Sequence, residues 1–155
     1  MTFRVIKHYE PELGWSCCFR QWRADSHCKY LHGYALGFSF TFRADVLDKN
    51  GWVVDFGGLR PLKENLMSMF DHCTCVAADD PELDQFMHLD KMGLIRIGIF
   101  TNGVGIEKFA ESVWYLAELF LKEHYPIDVA SRGLRVTQVE CHEHGANSAI
   151  YKVSD

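Results

Sequence analysis

Cys28-Lys29-Tyr30-Leu31-His32-Gly33-Tyr34 brings a thiol, an imidazole and a glycine into one short string. A thiol with a lowered pKa can act as nucleophile or proton carrier. A neutral imidazole can bind a metal ion or accept a proton. Asp71-His72 and Glu143 stand further along the chain. A carboxylate beside an imidazole fixes its tautomer and raises its basicity. Together these residue types make a proton-transfer kit.

Each has a plainer alternative. His32 and Tyr34 are two apart on a strand, so they share a face. His32 is either a metal ligand or a hydrogen-bonded core histidine. His27 lies across a turn from it and is a second candidate ligand. Cys28 is either a proton carrier assisted by His72 or one more small buried hydrophobe. Asp71-His72 is either an orienter with its base, or a helix C-terminus that favours histidine. Glu143 either takes two hydrogen bonds from a guanidine-like heterocycle edge, or ends a strand in solvent.

The elements that position these groups follow from periodicity. Residues 2–9 alternate and read as a strand, and residues 10–31 read as irregular. Residues 32–44 are the clearest strand, with His32, Tyr34, Leu36, Phe38, Phe40 and Phe42 on one face. Asn50-Gly51 signals a hairpin leading into a second strand over residues 52–56. Gly57-Gly58 opens a helix that carries Leu59, Leu62, Leu66 and Phe70 at helical spacing. It ends at Phe70, just before Asp71-His72. Residues 94–100 form a short strand. Ile106, Phe109, Val113, Ala117 and Phe120 mark a second helix that ends near Glu123, with Pro126 as its stop. Residues 134–143 and 148–153 close the chain as a hairpin. The expected fold is α+β, an antiparallel sheet with two helices on one face, in a single domain spanning residues 1–155.

Composition narrows the function. The 155 residues are 48% hydrophobic and 14% aromatic, enough for a packed core. The net charge of −5 argues against a general nucleic-acid binder. Met1-Thr2-Phe3-Arg4-Val5 begins no apolar leader, and no apolar run approaches a membrane span. A cytoplasmic protein is expected, with its six cysteines reduced. None of them forms a C-x-x-C pair.

In order and spacing these motifs resemble the 6-pyruvoyltetrahydropterin synthase and 6-carboxytetrahydropterin synthase family. The family pattern is a Cys, three residues, then His-Gly-His; here it reads Cys28 to Tyr34. Gly51-Trp52-Val53-Val54-Asp55-Phe56 matches its Gly-x-Val-x-Asp-Phe segment, and Asp71-His72 its Asp-His. Glu107 falls at its second-helix Glu, and Glu143 stands ahead of Tyr151 as its ring-binding Glu does. The resemblance implies the tunnelling fold, in which subunits close a barrel as homotrimers and stack as homohexamers. Active sites then lie at subunit interfaces. It implies a lyase of biopterin, folate or queuosine metabolism, with zinc as cofactor and 7,8-dihydroneopterin triphosphate or a related dihydropterin as substrate. Cys28, Asp71 and His72 would move protons, Glu143 and Glu107 would bind the ring, and His32, with His27, would hold the metal. The family's zinc takes three histidines, and here Arg23 and Tyr34 stand at the first and third positions. Either His27 and another group rebuild the site, or the protein binds a pterin or purine without metal and without catalysis. Arg20, Arg23 and Lys29 offer positive charge for a triphosphate.

Overall fold

The computed structural model describes residues 1–10 and 15–154. Its centre is β3, His32–Ala44, thirteen residues long. Two strands lie end to end along one edge of β3, both antiparallel to it. β1, Phe3–Tyr9, pairs with its second half, and β2, Trp15–Phe19, with its first. β6, Arg135–His144, pairs with the other edge and continues through a hairpin to β7, Asn147–Lys152. Beyond β2 run β4, Cys73–Ala77, and β5, Ile97–Phe100, both parallel. The sheet has seven strands and is mixed, not purely antiparallel. All five residues of β4 are buried, the pattern of a parallel strand covered on both faces.

Helix α1, Arg60–Phe70, begins after a 3-10 turn with Pro61 in its first turn and buries Leu62, Leu66 and Phe70. Helix α3, Ile106–His124, buries Phe109, Val113, Ala117 and Phe120 on one side. These two pack on the phenylalanine face of β3: Phe70 meets Phe38 and Phe109, each at 5.2 Å between ring centres. Leu36, Phe38, Phe40 and Phe42 are fully buried there. Helix α2, Leu83–Lys91, and helix α4, Pro126–Arg132, bury no residue completely. Among the described residues no helix is long and apolar enough to cross a membrane.

Other expectations are corrected or extended. The stretch from 10 to 31 is not wholly irregular, since it contains β2; its residues 11–14 lie outside the described residues. Residues 52–56 are not a strand. Both edges of β3 are already occupied, so no partner is left for a hairpin there. Instead the Asp48 carboxylate accepts from the backbone N–H groups of Asn50 and Trp52. The Arg132 guanidinium donates to the carbonyls of Val46, Trp52 and Val53. Pro126 does stop α3, but it also starts α4, because its fixed φ suits a first helical turn. The segment from 73 to 94, where periodicity marks no element, holds β4 and α2.

Candidate active site

His32 begins β3 and Tyr34 follows on the same face, so both extend the apolar side of the strand past the end of the core. Phe19, paired with His32 across β2 and β3, joins core to site. Its ring lies 5.2 Å from Phe109 in the core, 4.9 Å from His32 and 6.0 Å from Tyr34. Gly33 between them is required by close approach: a Cβ there would lie 2.9 Å from the Cys17 carbonyl oxygen.

Cys28 sits in a 3-10 turn, His27–Lys29, capped by Ser26, whose hydroxyl accepts from the Cys28 N–H. The Cys28 carbonyl accepts from the Gln21 N–H at 2.9 Å, which fixes the turn to the end of β2. The Gln21 side chain donates to the Val104 carbonyl at 2.8 Å, tying the same point to the entry of α3. Gly105 makes that entry at φ +109, a conformation that suits glycine. Glu107 follows in the first turn of α3, where the helix dipole favours a carboxylate.

Glu143 comes from β6 at a register shift between His142 and His144 in the pairing with β7. Such bulges re-aim side chains. Its Oε1 accepts from the Asn147 side-chain amide at 2.7 Å, and its side chain is 16% exposed. Cys28, His32, Tyr34, Glu107 and Glu143 thus line one open cavity of about 510 Å³, bordered by the β6–β7 hairpin. The Tyr34 phenol is pushed up by burial, then by Glu143 and Cys28, and so stays a protonated donor at neutral pH. His32 Nδ1 lies 2.7 Å from the Tyr30 carbonyl. A carbonyl only accepts, so Nδ1 carries a proton, which leaves Nε2 as the nitrogen turned to other partners.

Asp71 and His72 are elsewhere. They follow α1 at the opposite end of β2, where the His72 N–H donates to Ser16 at 2.7 Å. His72 has φ +53, uncommon for a residue with a side chain. Its Nδ1 lies 3.0 Å from Asp71 Oδ1, and its side chain is 86% exposed. Arg96 holds this corner by donating to the Ser68 and Asp71 carbonyls. His27 is exposed in the 3-10 turn and does not line the cavity. Among the described residues no three His, Cys, Asp or Glu side chains are arranged to hold a metal ion, so the donors present do not fit a zinc site. Asn147 and Ser148, also in the lining, carried no sequence signal beyond their place in the closing hairpin.

Comparison with known proteins agrees with this architecture. An uncharacterized protein from Wolinella succinogenes superposes with a TM-score of 0.78 at 18% identity, over 99% of each chain. The 6-pyruvoyl tetrahydropterin synthase of Plasmodium falciparum gives a TM-score of 0.67 at 15% identity, over 97% of this chain and 96% of that one. These likenesses establish an α+β tunnelling fold. In sequence, the 6-carboxy-5,6,7,8-tetrahydropterin synthase of Rickettsia conorii is 36% identical over 59 residues, 37% of this chain and 43% of that enzyme. That of Rickettsia typhi is 37% identical over 57 residues, 36% of this chain and 41% of the enzyme. The matched stretch therefore spans less than half the length of these relatives. The family model for 6-pyruvoyl tetrahydropterin synthase matches residues 11–154, and the chain belongs to that family.

Proposed function

We propose that the protein is a pterin-pathway lyase that binds a dihydropterin and moves protons on its side chain. The supporting observation is the convergence of Cys28, His32, Glu107 and Glu143, from four separate segments, on one cavity. Glu143, already oriented by Asn147, accepts the N–H groups of the pterin ring. Glu107 binds beside it from the start of α3. Cys28 carries the proton to or from the side chain. Exposed His72 with half-buried Asp71, remote from the cavity of its own chain, serves the cavity of a neighbouring copy, as expected of a homotrimer or homohexamer with sites between subunits. We assign the protein to the cytoplasm, where its thiols remain reduced. No step is routed through zinc, because the donor set does not fit it.

The test is incubation of the oligomer with 7,8-dihydroneopterin and, separately, its triphosphate, with the products separated by chromatography. Side-chain loss or rearrangement that disappears in Cys28→Ala supports the lyase. A second reading, a metal-free pterin- or purine-binding protein, draws support from Tyr34 and Arg23 at two metal-ligand positions of the family pattern. Ring binding by calorimetry without any product would favour it. Neither binding nor product would sink both.

A further inference from the structure

His32 and Tyr34 stand two apart on β3, so the strand presents both side chains to the same cavity. Tyr34 is half-buried, and three rings hold it in place. Between centres, Phe19 lies at 6.0 Å, His32 at 5.5 Å and His144 at 5.9 Å. Among the described residues the Tyr34 hydroxyl has no hydrogen-bond partner. The other neutral amide and hydroxyl side chains of the lining are already engaged. Gln21 donates to the Val104 carbonyl, Asn147 to Glu143 and Ser148 to Glu140, at 2.8, 2.7 and 2.6 Å. Tyr34 therefore brings the cavity a donor that its own chain does not use.

Tyr34 stands at the third histidine position of the family pattern, and Arg23 at the first. Arg23 is turned out of the cavity. It pairs with Asp79 at 2.7 Å, lies over the Trp22 ring 4.0 Å from its centre, and lines a separate concavity. Two of the three positions thus face the cavity, as an imidazole and a phenol. With Glu143 on the ring edge and Cys28 serving the side chain, the tail of a bound dihydropterin runs from Glu143 towards Cys28. Both of those residues act on the Tyr34 phenol, so it stands beside that path. A phenol is protonated at neutral pH and offers its O–H to an oxygen atom.

We infer that the Tyr34 hydroxyl, in place of a bound metal ion, holds the dihydropterin tail by donating a hydrogen bond to one of its oxygens. This rests on the pterin reading above and names the residue that selects a tail-bearing ligand over the bare ring. A site built to hydrogen-bond a ligand oxygen discriminates against the analogue that lacks it. A neighbouring copy that brings Asp71-His72 to the cavity adds groups around the phenol. It does not change which way β3 presents it.

The test is calorimetry on the full-length oligomer, parent and Tyr34→Phe, with three compounds: 7,8-dihydropterin, which has no tail, 7,8-dihydroneopterin and its triphosphate. Phenylalanine keeps the ring and removes only the hydroxyl. The variant is expected to bind both tail-bearing compounds about tenfold more weakly, and 7,8-dihydropterin as well as the parent does. Dialysis of the parent against a chelator is expected to leave its affinities unchanged. Three results would each overturn the inference and leave the pterin reading standing: undiminished binding of the tail-bearing compounds by the variant, an equal loss for 7,8-dihydropterin, or a loss on chelation that zinc reverses. If no compound binds the parent, the pterin reading fails and the inference with it.

Discussion

The Asn147 side-chain amide donates to Glu143 Oε1 across the turn between β6 and β7, at 2.7 Å. The two residues are four apart in sequence and face one cavity. The contact orients the carboxylate and leaves Oε2 and the remaining lone pair of Oε1 for a ligand. A hydrogen bond to a charged group contributes about 1.5–3 kcal/mol. Glu143→Gln should therefore weaken dihydropterin binding by about tenfold or more. Asn147→Ala should weaken it less, by a few fold, because the carboxylate stays and only its orientation is lost. Calorimetry on both variants checks the order, and a larger loss for Asn147→Ala would contradict it.

Thiol reactivity separates access from acidity. Cys73 is lowered to about 7 by its hydrogen bond with Cys75, yet it is only 2% exposed. Cys18 and Cys28 are partly exposed, whereas Cys17, Cys73, Cys75 and Cys141 are buried. A reagent must reach the sulfur before its pKa matters. Brief treatment with iodoacetamide should label Cys18 and Cys28 ahead of the other four. Bound dihydropterin should protect Cys28 but not Cys18, which mass spectrometry of the digest would read directly.

The Arg20–Asp80 pair anchors the segment after β4 to the end of β2. Asp80 is 5% exposed, and it also accepts from the Glu82 N–H. Burial pushes its carboxyl up, but Arg20 and that N–H outweigh burial and hold it below its ordinary value. A lowered carboxyl contributes stability above its unfolded pKa of about 3.9 and loses it as pH falls through the folded value. Asp80→Asn should cost about 2–4 kcal/mol at neutral pH. Acid unfolding below about pH 4 should then be shallower in the variant than in the parent. Parallel acid titrations followed by circular dichroism would expose a wrong sign.

Gly33→Ala tests the backbone approach. The added methyl would stand 2.9 Å from a main-chain oxygen of β2, which cannot rotate away. The loss should be about 1–3 kcal/mol. Ligand binding should weaken along with melting temperature, because His32 and Tyr34 flank the displaced residue. Unchanged melting would show that the two strands separate more easily than their pairing indicates.

The long periodic elements were legible in the sequence. His32 and five apolar residues alternating after it marked β3 at its true limits, and helical spacing marked α1 and α3. β4 escaped because a strand covered on both faces has no alternation to detect. α2 escaped because it is only nine residues long, and its apolar positions Leu83, Phe86 and Leu89 are few and only half-buried. The segment from Trp52 to Phe56 misled because Asn50-Gly51 signals a turn but not a vacant strand edge. Of the candidate site, the order of motifs pointed to Cys28, His32, Glu107 and Glu143, which meet in one cavity. Sequence order could not say that Asp71-His72 sits at the far end of β2. That separation depends on how β2 and β4 pair, and β2 itself was not read as a strand.

Phe19 touches Phe109 on one side and His32 on the other. The aromatic contacts of the interior therefore run on, through Phe19, into the wall of the cavity, where His32 and Tyr34 are exposed to a ligand. A planar heterocycle settling there would pack against His32 and Tyr34 and so prolong contacts that begin in the core. Occupancy and folding are then one linked equilibrium, and a ligand present at a hundred times its Kd would add about 2.7 kcal/mol to the stability of the whole molecule. The melting temperature becomes a gauge of what the cavity accepts.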